Sequence, residues 1–343
     1  MTLPELWFSL IAVLWTGFFV LEGFDLGVGI LHGHLGRTEA GRRATIATIG
    51  PLWDGNEVWL IVAAAAMFAA FPGWYATTFS AAYLLVLLLL VGLIARGVSF
   101  EFRGKHDSPA WRRTWDTALT AGSVVVPLTV GIILGSMLNG LPIDQDQEFT
   151  GTIVDLLQPY PIFFGLTLVV LCLLHGSAFL WLKTSDELEE RSARFAGRIA
   201  PVAVLVVLAC VAWTHVLSAR GVIPNLLQVV AALAVLAAWW LQHERAAGWT
   251  FVATSVTLAA TLLGLFVDLY PRLLVSTTDP SYDLTVAATA SGAYALKVMT
   301  VITVVLLPLV LLYQGWTYYV FRARVRTQDH EPAPSEEGAA SGY

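Results

Sequence analysis

Charge is scarce in this chain. Only 13% of its 343 residues are Asp, Glu, Lys or Arg, against about 25% in an ordinary soluble domain. Hydrophobic types make up 57%, and mean hydropathy is +0.71. A chain this poor in charge cannot cover itself with a polar surface, which leaves an integral membrane protein as the class. Cysteine is nearly absent too. Cys172 and Cys210 both sit inside apolar runs, which argues for two small buried side chains rather than a disulfide. There is no basic stripe of the kind that binds nucleic acid. The net charge of −6 says little about partners, because it sums two faces of a membrane. The first apolar run lacks a preceding basic residue and a small-x-small cleavage site, and reads as a retained span rather than a signal peptide.

Apolar runs of about 20 residues, the length that crosses a bilayer, recur along the chain. They place nine helices, all α, at 7–32, 53–71, 78–100, 115–138, 160–182, 199–218, 226–242, 249–270 and 286–321. The seventh is short. The last is long enough to extend past the bilayer into the cytoplasm. Fifteen Lys and Arg residues fall in the loops after the odd-numbered spans: Arg37, Arg42 and Arg43; Arg103, Lys105, Arg112 and Arg113; Lys183, Arg191, Arg194 and Arg198; Arg245; Arg322, Arg324 and Arg326. The opposite side carries only Arg220 and Arg272, while Arg96 and Lys297 lie in spans. The positive-inside rule then puts the N-terminus outside and the C-terminus in the cytoplasm. The stretch "NGLPIDQDQEFTGTIVDLLQPYP" has no Lys or Arg and fits the exterior. Residues 1–326 form one transmembrane domain. The polar tail 327–343, rich in Pro, Ala and Ser, is expected to be disordered.

An ionisable residue at the centre of a span costs roughly 2.5–3.5 kcal/mol on insertion scales, so each needs a reason. The first span holds "LEGFDLGVGIL". Glu22 and Asp25 are three apart and share a helix face. Gly23 with Gly27, and Gly29 with Gly33, form GxxxG pairs that let another helix approach closely. With the topology above, Asp25 lies in the cytoplasmic half of the first span. Asp54 and Glu57 lie in the first turns of the second, and Arg96 near the cytoplasmic end of the third. Five ionisable groups on three successive helices thus fall at similar depth. If those helices pack together, Arg96 can neutralise one carboxylate and the others can pass protons.

A plainer reading stands beside this one. Acids at a helix start are favoured by the dipole alone. Asn56 reads as a local hydrogen-bonding residue, and Trp53 and Trp59 as interface anchors. Glu22 and Asp25, further from a helix end, resist that reading better. A heme ligand would have to be an inward-facing His or Met in a span. Only His175 and His215 qualify by position, while His32, His34, His106, His243 and His330 fall at edges or in loops. Asp268 reads as interfacial, and Lys297 as snorkelling outward.

The strings "GFDLGVGIL" (23–31), "RR" (42–43), "PLWDGNEVWL" (51–60), "ARGVSFEFRGK" (95–105), "WRRTWD" (111–116), "SVVVPLTVGIILGSMLNGLP" (123–142) and "PLVLLYQGWTYYVF" (308–321) occur in this order. Together they resemble subunit II of cytochrome bd-type quinol oxidases over nearly the whole chain except the tail. The resemblance implies two four-helix bundles plus one peripheral helix. It also implies a heterodimer in the cytoplasmic membrane of a bacterium or archaeon, which oxidises quinol, reduces O2 to water and generates membrane potential. The hemes b558, b595 and d, and the quinol-oxidation site, are then expected on subunit I, with no catalytic, cofactor or metal ligand on this chain. A small single-helix accessory subunit and a structural quinone, its site unassigned, occur in some members. The acid of "GFD", the acid of "WDGN" and the arginine after the third span match Asp25, Asp54 and Arg96. They imply a cytoplasmic proton route to which Glu22 and Glu57 are adjacent. Some relatives have glutamine in place of Glu57, and some lack a histidine at the position of His175.

Two other readings share these features. A proton-coupled secondary transporter would also place acids and an arginine at matched depth. It usually shows a pair of broken helices in corresponding halves, whereas here only the first span is uneven and Gly-rich. A purely structural scaffold would carry the same cluster with no proton traffic.

Overall fold

The structure, a computed structural model, describes residues 1–218 and 225–331. Its membrane-length helices follow the apolar runs, with breaks and extensions that the runs do not mark. The first span is two helices, α1 (Leu3–Leu21) and α2 (Gly23–Leu35), interrupted at Glu22. It starts earlier and ends later than 7–32. Thr2 and Glu5 form a capping box ahead of α1, so the polar residues before Trp7 begin the helix rather than precede it. A short amphipathic helix, α3 (Glu39–Ala47), follows.

The second span is α4 (Trp53–Ala70). The expected 78–100 helix is α5 (Pro72–Ala81) followed by α6 (Tyr83–Phe102), parted at Ala82. Pro72 starts α5 where its missing N–H costs nothing. The fourth span, α7 (Pro109–Asn139), begins six residues before the apolar run, because Ser108 caps it and Pro109 opens it. A single turn, α8 (Ile153–Leu156), precedes α9 (Pro159–Lys183). The sixth span, α10 (Asp186–Ser218), extends well before residue 199 through a charged segment that projects past the apolar run. Then come α11 (Leu226–His243) and α12 (Ala247–Leu269). A two-stranded antiparallel hairpin pairs β1 (Arg272–Leu274) with β2 (Leu284–Thr285). The expected 286–321 helix is a separate turn, α13 (Val286–Thr289), and then α14 (Ala293–Val320). Ser291 between them is tied to the end of α4 by its N–H on the Ala70 carbonyl, 2.8 Å.

Eight spans, with α1 and α2 counted together, are long and apolar enough to cross a membrane among the described residues. Helix α4 is not one of them, because Asp54, Asn56 and Glu57 dilute its first turns. At the start of the tail, Thr327–His330 forms a 3-10 turn. Residues 332–343 of the tail, and Arg220, lie outside the described residues.

The basic loops meet at one end of the molecule. Arg103 holds Glu39 through two bonds of 2.9 and 3.0 Å and Asp116 at 2.6 Å. Burial would raise the Glu39 carboxyl, but these hydrogen bonds and the Arg103 charge outweigh it and hold it below its ordinary value. Arg191 donates to the Leu35 carbonyl at 3.0 Å. Arg245 pairs with Glu190 at 2.9 Å and Arg324 with Glu189 at 3.2 Å. At the other end, Tyr270 donates to Glu5 at 3.1 Å, Thr77 to the Gln147 carbonyl at 2.8 Å, and Leu141 bridges Ser276.

Within the bundle, α9 packs against α2, α7, α10 and α12, and α4 against α1. Helix α14 is different. Only Leu296 of its 28 residues is buried, while Val301, Val304, Leu309 and Leu312 are 65%, 67%, 59% and 71% exposed. At 1.5 Å per residue such a helix is ~42 Å long, enough to span the ~30 Å hydrocarbon core.

Candidate functional site, a buried charge cluster

The break in the first helix creates the site. Interrupting a membrane helix frees backbone polar groups that must find partners inside the protein. Two side chains meet the carbonyls beside Glu22. Asn56 Nδ2 donates to the Leu21 carbonyl at 3.0 Å, and His175 Nε2 is 3.2 Å from the Val20 carbonyl. Glu22, Asp25, Asn56, Arg96 and His175 are all essentially inaccessible to solvent.

Arg96, from α6, reaches across to two other helices. Its Nη2 is 2.6 Å from Glu22 Oε1 and its Nη1 is 3.2 Å from Glu57 Oε2. The guanidinium also lies 5.3 Å from the Phe100 ring and 5.8 Å from the Trp53 ring, which stack on each other at 4.8 Å. Asp25, one helical turn from Glu22, accepts from Asn56 Nδ2 at 2.6 Å. Asn56 Oδ1 in turn accepts from Gln314 Nε2 at 2.8 Å and Tyr318 Oη at 2.9 Å. Trp59 Nε1 holds Gln314 Oε1 at 2.9 Å. A polar chain thus runs from the buried carboxyls to the exposed helix α14.

The cluster contains two fully buried carboxyls and one guanidinium. Glu57 is the third carboxyl, and its side chain is 21% exposed. Glu22 Oε2, Asp25 Oδ1 and Arg96 Nε have no hydrogen-bond partner among the described residues. Two ionised carboxylates offer each other only acceptors.

Four of the five expected ionisable residues come together. Asp54 is exposed and makes no ion pair or hydrogen bond with them among the described residues. Asn56, read as a local residue, is the hub linking Asp25 to Gln314 and Tyr318. The signals for it were one polar residue flanked by two acids, and a lone Gln in the last span. Trp53 and Trp59 face the cluster and α14 rather than serving only as interface anchors. Replacing Asn56 by Ala would strand Asp25, the Leu21 carbonyl, Gln314 and Tyr318. A loss of about 2–3 kcal/mol is expected, read as a lower thermal dissociation temperature of the purified complex; an unchanged midpoint would reject the hub role.

The glycines divide. A Cβ on Gly27 would stand 1.9 Å from the Cys172 carbonyl of α9, and one on Gly29 2.1 Å from Ser123 Oγ of α7. Gly23 makes ordinary contacts at 3.5 Å, and Gly33 has open space around its Cβ position. The second GxxxG pair is therefore not a helix contact at Gly33. Lys297 is exposed, as snorkelling requires. Asp268, beside the end of α12, is buried rather than exposed, and Asn225 Nδ2 at 2.8 Å and Gln228 Nε2 donate to it. His32, in the last turn of α2, is buried, with Nδ1 2.8 Å from the Gly29 carbonyl and Nε2 3.1 Å from Asp116.

The buried imidazoles bear on heme ligation. His175 has Nδ1 2.7 Å from Thr254 Oγ1, Nε2 on Val20, and its ring stacked 4.5 Å from Phe251. Both nitrogens of His32 and of His175 are engaged by partners within this chain. No group of three or more His, Cys, Asp or Glu gathers as a metal site among the described residues.

The fold and this cluster define a class: a multi-pass helical membrane subunit with buried charge at a broken helix and one long helix left uncovered. Residues 3–321 match the family described as cytochrome bd terminal oxidase subunit II. The chain is 43% identical over 328 residues to cytochrome bd ubiquinol oxidase subunit 2 of Bacillus subtilis, covering 94% of this chain and 97% of that protein. It is 34% identical over 371 residues to cytochrome bd-I ubiquinol oxidase subunit 2 of Escherichia coli K12, covering 95% and 96%. In fold it is similar to a chain of the bd oxidase from Geobacillus thermodenitrificans, with a TM-score of 0.71 at 18% identity, over 94% of this chain and 98% of that one. The chain belongs to the cytochrome bd oxidase subunit II family. It is a multi-pass protein of the cytoplasmic membrane and part of a respiratory oxidoreductase complex that contains hemes and a subunit I partner.

Proposed function

We propose that this chain is the heme-free subunit of a quinol:O2 oxidoreductase, and that its buried cluster is part of a proton route from the cytoplasm. The observation that carries this is the pair Glu22 and Asp25, sealed from solvent yet joined through Arg96 to Glu57, which reaches the surface beside Asp54. Protons enter past Asp54 and Glu57 at the Arg-rich end, which faces the cytoplasm. Arg96 holds Glu22 and Glu57 at fixed separation, and Asn56 orients Asp25. Glu22 and Asp25 take up and release the proton at their unpartnered oxygens. The chain through Asn56 then leads to Gln314 and Tyr318 on α14.

Subunit I docks on the exposed apolar faces of α4, α6 and α14, and Asn56, held by Gln314 and Tyr318 of α14, ties the cluster to that side. Helix α4 crosses the bilayer as the ninth span, with Glu57 paired to Arg96 inside this cluster and Asp54 at its open end. The helices then form two four-helix bundles, with α14 peripheral, the N-terminus outside and the C-terminus inside. Subunit I carries the hemes b558, b595 and d and the quinol-oxidation site. Oxygen reduction is theirs; this chain positions them and supplies protons. The family assignment supports this reading over a transporter.

Replacing Asp25 by Asn keeps the shape of the side chain and removes its proton. Oxygen consumption by the complex is expected to fall about tenfold or more, with the full heme spectrum retained. Asp54→Asn, at the open rim where water can substitute, should cost less. If both variants turn over normally, the route lies elsewhere. Loss of heme d with Asp25→Asn would instead favour the scaffold role.

A further inference from the structure

Outside the charge cluster, the described residues hold a second concentration of unusual chemistry at the Arg-rich end. A cavity of about 80 Å³ opens between the end of α2 and the projecting first turns of α10. Its lining is His34, Leu35, Arg37, Arg191, Arg194, Phe195 and Arg198. A single water needs ~10–15 Å³ in this measure, so the space suits a group the size of an oxyanion.

Four arginines around one cavity repel one another unless something negative sits among them. The neighbouring acids are already committed. Glu187 pairs with Arg191, and the Glu190 carboxylate pairs with Arg245 at 2.9 Å. Arg194 reaches only the Glu190 backbone carbonyl, 3.4 Å from its Nε. Among the described residues, Arg37, Arg194 and Arg198 have no carboxylate within 4 Å. Arg191 is anchored by the Leu35 carbonyl and Glu187, and its buried Nε has no hydrogen-bond partner there. Arg191 is thus held in place, while Arg37, Arg194 and Arg198 are exposed and carry no carboxylate partner among the described residues.

The placement is equally specific. Arg191, Arg194 and Arg198 lie at i, i+3 and i+7, one face of α10. They stop where the apolar run of that helix begins at Ile199. His34 packs edge-on against Phe195, 5.8 Å between ring centroids, giving the cavity an apolar flank beside its charged rim. Arginine recognises phosphate through paired N–H donors in a planar fork. Basic pockets between membrane helices at this level suit phospholipid headgroups.

We propose that this cavity is a binding site for a phosphate group, held by Arg37, Arg191, Arg194 and Arg198 at the level of the lipid headgroups. The chemistry is shared by an anionic phospholipid and by free phosphate. The proposal stands apart from the proton route, because it uses none of the cluster residues.

The test uses the purified complex with its partner subunit, in nanodiscs of phosphatidylcholine with a minor fraction of phosphatidylglycerol. Retained lipid is counted by native mass spectrometry. The double variant R194Q/R198Q is compared with the parent and with R322Q, a control at the same end outside the cavity. Both cavity substitutions are at exposed positions, and an unchanged heme spectrum checks assembly. Each arginine near a membrane surface contributes about fivefold to anionic lipid binding, so the double variant should retain phosphatidylglycerol about thirtyfold more weakly, against about fivefold at most for R322Q. In discs of phosphatidylcholine alone, inorganic phosphate binding by the parent and not by the double variant would identify free phosphate as the ligand. Equal retention by all three proteins, with no phosphate binding by the parent, would overturn the site.

Discussion

Replacing Arg96 by Met should lower the stability of the subunit by about 3–5 kcal/mol, the usual consequence of removing one partner of a buried ion pair. Arg96 is wholly buried and is the only cation within 4 Å of Glu22 or Glu57 among the described residues. Without it, two sealed carboxyls and a third half-buried one face each other with nothing positive between them. Phe100 and Trp53, stacked against the guanidinium, would also lose their cationic neighbour. The measurement is thermal dissociation of the purified complex, followed by loss of the heme spectrum. A second variant separates charge from packing: Glu22→Gln combined with Arg96→Met removes one carboxylate along with the cation. It should recover part of the loss, as neighbours in one network do in a double-mutant cycle. An Arg96→Met protein within 0.5 kcal/mol of the parent would mean that the cluster carries no net charge to balance, and the proton reading would lose its basis.

Gly27→Ala should destabilise nearly as much for a single methyl group. Its Cβ would stand 1.9 Å from the Cys172 carbonyl oxygen and 2.9 Å from Gly176 Cα, both backbone atoms of α9. Backbone cannot swing aside as the end of a flexible side chain can, so α2 and α9 must separate. Overpacking of this kind costs about 1–3 kcal/mol, and the upper end is expected here. The opposing Gly176 reports the same crossing, since a Cβ there would meet Gly27 Cα at 2.6 Å. Gly33→Ala is the internal control. It has open space and lies within α2, where Ala is favoured over Gly by about 0.8–1.0 kcal/mol. Its dissociation midpoint should stay level or rise. Equal losses for Gly27→Ala and Gly33→Ala would show that the close approach of α2 to α9 is not what holds this face.

The two glycine pairs show how far the sequence could be read. Both GxxxG pairs have the same spacing, and nothing local distinguishes Gly27 from Gly33. Only the position of the crossing, set by the rotation of α2 against α9, does. Asp54 is the parallel case among the acids. Asn56 lies two residues on, ~200° around the helix, so the face that presents Asn56 to Asp25 turns Asp54 outward. His175 and Asn56 gained their roles from an event the apolar runs do not mark, the break at Glu22 that requires partners for the Val20 and Leu21 carbonyls.

By itself, the sequence determined that the chain lives in a membrane and roughly where its apolar helices lie, and that its basic loops gather at one end. Those properties follow from transfer energies summed over residues, and need no knowledge of neighbours. It also marked Glu22, Asp25 and Arg96 as costly residues needing partners. Only the tertiary structure decided which partners they have, which glycines touch, and which helix is left uncovered. Those depend on helix rotation and crossing, where a shift of one residue turns a side chain by ~100° and exchanges a buried contact for an exposed one.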